Sequence, residues 1–343
     1  MYIFITLDYE LFFGPKTGTV KQSLINPTNR LLKIGNKYNI NFSFFIDIGY
    51  IIKLEKFKSK YYQLQNDYDL LAEQIKKLSE NGHDIQLHIH PHWEDSFYDG
   101  QKWHVETYRY RLHDFSESEI LAIVTNYKRT LERLVDKPVF AYRAGGWCLQ
   151  PFEKIKDALQ KNGIWLDSTV YKNGLADRYT HFFDFRNMPN KEIWKFDNDP
   201  LIENKDGFFT EIPISSLNVS PLFFWKMAFI RKFGANQHKF LGDGYGIGAS
   251  KKDILRMLLK PSNIVVSIDG YRSSLLQRAI AYYEKKKRKY MVLIGHPKMQ
   301  SEFSLKKLQT FLFLNKDKNF CTYTEYFKKK TDYNGFGGAS ITI

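Results

Sequence analysis

Short apolar runs recur along the chain, and helix-patterned stretches separate most of them. "YIFIT" (2–6), "NFSFFID" (41–47), the alternating "DIQLH" (84–88) and "PVFAYR" (138–143) read as strands. So do "IWLDST" (164–169), "FFTEIPIS" (208–215), "NIVVSID" (263–269) and "YMVLIGH" (290–296). The pattern predicts helices near 27–38, 67–81 and 151–162, and over "SSLLQRAIAYYEKKKR". A further helix, "SESEILAIVTNYKRTLERLV", opens with Ser116 and Glu119 in capping-box spacing. Strands alternating with helices argue for a parallel sheet or an α/β barrel. The stretches 91–115 and 170–205 are polar and irregular, and read as loops or insertions. "VSPLFFWKMAFIRKFG" (219–234) is apolar and basic. It is read as a core helix under the barrel, with a membrane-surface helix as the alternative.

Composition narrows the class. With 343 residues, 43% hydrophobic and 26% charged, the chain is an ordinary globular one with room for a large core. Aromatic residues make up 16%, which suits either a sugar-handling surface or an aromatic core. The net charge of +14 favours anionic partners. The lysines are widely spread, however, and no nucleic-acid-binding motif accompanies them, so a solvated basic surface is expected. Cys148 and Cys321 lie far apart and show neither metal spacing nor a disulfide framework. The start "MYIFITLDYE" has no basic, cleavable leader, and no run is long enough to span a bilayer. A cytoplasmic protein is expected.

The chemistry concentrates at strand ends. Four of the nine histidines fall within residues 83–92, in "HDIQLHIHPHW", just after a helix that stops at Gly82. Asp8 and Glu10 follow the first strand; His88, His90 and His92 the third; Arg143 the next; then Asp167 with Ser168, and finally His296. In a barrel these ends meet on one face. Carboxylates, imidazoles and a guanidinium gathered there suit metal-assisted hydrolysis with a general acid and base.

In that order the residues resemble the polysaccharide deacetylase family (carbohydrate esterase family 4, or NodB-homology domains). "TLDYE", "GHDIQLHIHPH", "YRAGGW", "WLDST" and "VLIGHP" stand where that family has its five motifs, from residue 6 to residue 297. The resemblance implies a distorted (β/α)7-type barrel of the glycoside hydrolase/deacetylase superfamily. It would form a single domain over 1–343 with insertions near 91–115 and 170–250. The implied reaction removes an N- or O-acetyl group from a sugar with a divalent metal, commonly zinc. His88 and His92 would hold the metal and Asp8 would be the base. Arg143 would orient and ionise Asp8. His296 would be the acid, with Asp167 holding its charge.

One motif departs from the family form. Tyr9 stands where the common pattern has a second, metal-binding Asp. Residues 8 and 10 share a side of an extended chain, so Glu10 is the expected third ligand; a salt bridge at the barrel mouth is the alternative. His90 is expected to point elsewhere, and His83 to cap the helix–strand turn. Trp147 and Asp269 are candidates for substrate binding, against core filling and turn chemistry respectively. The expected substrate is a sugar or glycan precursor of surface-polysaccharide synthesis, nucleotide- or lipid-linked, with peripheral membrane contact as a further option. The rival readings are a glycoside hydrolase of the same superfamily and a non-catalytic carbohydrate-binding or membrane-associated barrel.

Overall fold

The computed structural model describes residues 1–333, apart from 179 and 249. Its centre is a curled sheet built in chain order from β1 (Tyr2–Tyr9), β2 (Ser43–Asp47), β3 (Asp84–Ile89), β4 (Ala141–Ala144), β5 (Leu166–Asp167), β6 (Trp194–Phe196) and β7 (Phe209–Glu211). Beyond a separate antiparallel pair, β8 (Ser216–Val219) with β9 (Ser262–Val265), come β10 (Tyr290–Gly295) and β11 (Asn319–Phe320). The order across the sheet is β6-β7-β5-β4-β3-β2-β1-β10, with β11 also on β1. Every pairing within this sheet is parallel except β6 with β7. Ser215 and Val266 bridge the gap to β10: Ser215 N–H donates to Val292 O at 3.0 Å and Val266 N–H to Ser215 O at 2.7 Å. The sheet thus curls into a distorted barrel.

Strand periodicity explains both faces of this sheet. Odd positions such as Ile3, Ile5 and Leu7 of β1, and Ile85, Leu87 and Ile89 of β3, are buried in the larger core beneath the helices. Those helices include α1 (Asn26–Tyr38), α2 (Ile48–Phe57), α3 (Tyr62–Glu80), α4 (Glu117–Val135) and α5 (Glu153–Lys161). Phe4, Phe45, Ala141, Leu166 and Val292 form a second core with Tyr323, Tyr326 and Phe327, which open the last helix. Each such side chain, fully buried, stabilises the fold by about 1.5–3 kcal/mol. Further along the inner face of β1, β3 and β4 the residues turn polar: Thr6 and Asp8, Gln86 and His88, Arg143. The site residues thus gather at the C-terminal ends of the strands, while buried Asp84 at the opposite end is satisfied by Ser43 and Thr324.

Local signals act as expected at several boundaries. Ser116 caps α4, and its N–H donates to Glu119 Oε2 at 2.8 Å. Gly82 takes φ +87° and lets the chain turn from α3 into β3. His83 Nδ1 accepts from Phe42 N–H at 3.0 Å, and burial pushes its pKa down to about 4.

The stretch 219–234 departs from expectation. It does form a helix, α6 (Pro221–Phe233), but this helix is not a core element. It packs on α7 (Lys251–Leu259), with Trp225 Nε1–H donating to Leu258 O at 3.1 Å, and only Phe224 is buried. Phe224 joins the main core, with Phe223 and Met227 packed against it, and the apolar residues on the other sides of the helix are left uncovered. After α7 and β9 come α8 (Leu276–Lys285) and α9 (Glu302–Leu314). Among the described residues, no helix is long and apolar enough to cross a membrane.

Candidate active site

The first strand ends in Asp8-Tyr9-Glu10, and alternation sorts the three. Tyr9 turns into the helical core and donates its hydroxyl to Gln74 Oε1 at 2.7 Å. Asp8 and Glu10 turn the other way, into the cleft. Glu10 Oε2 lies 3.1 Å from His88 Nε2 and 2.5 Å from His90 Nε2, and those two nitrogens are 3.1 Å apart. All three residues are buried. His88 Nδ1–H donates to Arg143 O at 2.8 Å, which leaves its Nε2 lone pair facing the triangle.

These three atoms fit a divalent ion. Ligand atoms around a tetrahedral ion with bonds of about 2.0–2.1 Å lie roughly 3.3–3.4 Å apart. Two edges of the triangle are a few tenths of an ångström shorter than that, and the Glu10–His90 edge, at 2.5 Å, is shorter by about 0.8 Å and must open to take an ion; the two nitrogens and one carboxylate oxygen are zinc-type donors. Burial holds His90 down to about 4, so its ring is neutral, as a ligand must be. Burial opposes charge on Glu10, yet Lys298, His90 and the imidazole contacts outweigh it and hold the carboxyl well below its usual range.

His92 lies apart from this triangle. Pro91 opens a short 3-10 turn, Pro91–Glu94, which swings the side chain of residue 92 away. His92 sits among Phe13, Trp93 and Tyr110, fully buried, with neither ring nitrogen hydrogen-bonded. Burial holds its pKa well below the ordinary value. His90, expected to point elsewhere, takes the place expected of His92. Residues 88 and 90 have the same parity, and the extended backbone persists to residue 90. Gly145 permits the approach: a Cβ there would lie 2.5 Å from Ile89 O and 2.7 Å from His90 Nδ1.

Arg143 is fully buried and fixed from several sides. Its NH1 donates to Asp8 Oδ1 at 2.7 Å and to Thr6 Oγ1 at 2.9 Å, and its Nε to Ser168 O at 2.7 Å. Its plane lies over the Phe45 ring. Ser168 Oγ accepts from its NH2 at 3.1 Å, so of the "DS" pair it is Ser168, by its carbonyl and its hydroxyl, that holds the guanidinium.

His296 closes the cleft from the end of β10. Its Nε2 stands 3.8 Å from Asp8 Oδ2 and from Glu10 Oε1. Its side chain is 21% exposed, against 6% for Asp8 and 9% for Glu10, so solvent reaches the site past His296. The expected partner Asp167 does not touch it. Asp167 accepts from Thr169 N–H and Oγ1–H, both at 2.9 Å, and faces Glu211, whose carboxyl is pushed well up by burial and by Asp167. Asp269 is the carboxylate that His296 meets. Its Oδ2 accepts from His296 Nδ1–H at 2.7 Å and its Oδ1 from His296 N–H at 2.8 Å. The reason is topological: the segment after β9 runs beside β10, whereas β5 lies between β4 and β7. Trp147, half-buried, packs edge-on against Tyr171 and Phe183.

Two neighbours were not anticipated. Lys298 is buried, and its Nζ donates to Glu10 Oε1 at 2.8 Å and Leu11 O at 2.5 Å. Its place two residues after His296 in "GHPK" was the available signal. Asp47, the register partner of His88, accepts from Trp93 Nε1–H at 2.7 Å, and burial pushes it up to about 7.

No family profile and no curated protein matches the sequence. Solved structures do. A candidate polysaccharide deacetylase from Mycobacterium smegmatis superimposes with a TM-score of 0.54 at 14% identity, over 99% of this chain and 94% of that one. The fold is the deacetylase barrel. The 4-alpha-glucanotransferase from Thermococcus litoralis superimposes at a TM-score of 0.50 and 10% identity, over 96% of this chain and 40% of that one. Since one barrel carries both, the fold alone does not choose the reaction.

Proposed function

We propose that this protein is a metal-dependent hydrolase that removes an acetyl group from the nitrogen or oxygen of a sugar. The observation that carries the reading is the Glu10–His88–His90 triangle with Asp8–Arg143 on one flank and His296–Asp269 on another. A divalent ion such as zinc, held by Glu10, His88 and His90, supplies Lewis-acid polarisation and lowers the pKa of water. Asp8 acts as base: Arg143 holds one oxygen, and the other faces the cleft to accept a proton from the attacking water. His296 acts as acid, carrying a proton on Nε2 for the departing amine or alcohol. Asp269 keeps its Nδ1 protonated and balances the charge.

Glu10 and Asp8 are both engaged, so neither is a free nucleophile of the glycosidase kind. As substrate we propose a nucleotide- or lipid-linked sugar intermediate of surface-polysaccharide synthesis. The net charge of +14 suits a pyrophosphate-bearing carrier.

Acetate release from N-acetylated and O-acetylated sugars, with zinc and with a chelator, tests this reading. Zinc-dependent release that is lost in Asp8→Asn is expected. Metal-free protein that neither takes up zinc nor releases acetate from any of these substrates would overturn it.

A further inference from the structure

A second feature lies beside the cleft. Leu222, Trp225, Phe229 and Phe233 fall at successive turns of α6 on one stripe, each 56–65% exposed. On α7, Leu255 and Leu259 are similarly exposed at 58% and 64%. Between the helices, Tyr245 and Ile247 are exposed as well. Exposed apolar side chains gathered on two packed helices of a charged protein mark a contact face.

Charge points to the occupant. Residues 219–260 contain eight Lys and Arg against two Asp and no Glu, a surplus of six positive charges. Both aspartates are already engaged, Asp253 by Arg178 and Asp243 by Thr19 and Ser23. Lys226, Arg231, Lys232, Lys251, Lys252 and Arg256 are all exposed around the apolar stripe. Large aromatic and aliphatic side chains ringed by Lys and Arg are what a helix needs to lie in the headgroup layer of an anionic bilayer. A second copy of this chain would face the same surplus with its own, and like charges repel.

The face is also continuous with the cleft. Leu241 N–H donates to Gln300 O at 2.7 Å and Gly242 N–H to Lys298 O at 3.1 Å. Lys298 holds Glu10, and Gln300 Nε2–H donates to Asp269 Oδ1 at 2.9 Å. Phe240 covers the turn at Gly270, next to Asp269. The segment joining α6 to α7 is therefore part of the rim.

We infer that α6, α7 and the segment between them dock the protein on an anionic lipid bilayer, with the rim of the cleft beside the headgroup layer. Docking of this face requires nothing of the chemistry in the cleft.

Co-sedimentation of the full chain with vesicles tests it. Vesicles of phosphatidylcholine mixed with phosphatidylglycerol should bind the protein, in a manner weakened by salt, and phosphatidylcholine alone should bind it less. The triple variant Trp225→Ser, Phe229→Ser, Phe233→Ser should partition roughly a hundredfold more weakly. The pair Lys226→Glu, Lys232→Glu leaves the apolar stripe in place and should abolish the preference for the anionic vesicles. Wild-type protein left in the supernatant with both vesicles would overturn the inference. So would undiminished binding by both variants, or a wild-type dimer that the triple variant dissolves while vesicles bind neither form.

Discussion

Asp269 grips His296 at two points, the backbone N–H and the ring Nδ1–H, at 2.8 and 2.7 Å. This fixes the tautomer and aims Nε2 at the carboxylates of Asp8 and Glu10. Burial alone would lower the His296 pKa, yet Asp269, with Asp8 and Glu10 beyond it, carries it above the ordinary imidazole value.

Asp269→Asn should therefore lower the His296 pKa and move the alkaline limb of the kcat/KM profile to lower pH. Turnover at neutral pH should fall roughly 10²-fold or more. Asp167→Asn should leave that limb in place. Stability carries the same sign. With its folded pKa raised, His296 stabilises the fold below pH about 6.5, and this contribution is lost as pH rises through the folded value. Rate profiles and thermal melts of the metal-free protein across pH check both statements.

The metal triangle separates two histidines that sequence spacing alone does not. His88→Ala, His90→Ala and Glu10→Gln should each lower zinc content by elemental analysis. His92→Phe should keep the zinc. It replaces two buried, unpaired nitrogens by an apolar ring among Phe13, Trp93 and Tyr110. Its effect on stability should stay within about 1.5 kcal/mol, read from denaturant unfolding. Loss of zinc in His92→Phe together with full zinc in His90→Ala would refute the ligand set.

Asp8→Asn should retain zinc and lose turnover, by roughly 10²- to 10⁴-fold. The amide can still accept from Arg143 but cannot take a proton. The fully buried guanidinium loses its counter-charge, so a lower melting temperature should accompany the loss of rate. Measuring zinc content and melting on one preparation separates the chemical defect from a structural one.

Gly145→Ala tests the packing beneath His90. The added Cβ meets Ile89 O and the His90 ring inside van der Waals contact, and the first of these is backbone. Weaker zinc binding and destabilisation of about 1–3 kcal/mol are expected. Competition with a chromogenic chelator and urea titration measure the two.

The sequence by itself determined the alternation of strands and helices, because side chains buried on two faces of a parallel sheet leave continuous apolar runs. β1, β2, β3, β4 and β10 lie within the runs that predicted them, apart from one to three residues at the C-terminal ends of β1, β3 and β4. It also determined that Asp8 and Glu10 share a side while Tyr9 opposes them, since the strand period of two is a local property. Other outcomes depended on partners distant in the chain or on a local change of backbone. The 3-10 turn at Pro91 decided between His90 and His92. The strand order decided between Asp167 and Asp269, because which segment flanks β10 is settled by barrel closure. The position of Lys298 under Glu10 spans nearly the whole chain. Finally, α6 has the composition of a core helix, and only Phe224 of it is buried, which leaves most of the helix at the surface. Periodicity records which way a residue points, and only the closed tertiary structure decides what it meets there.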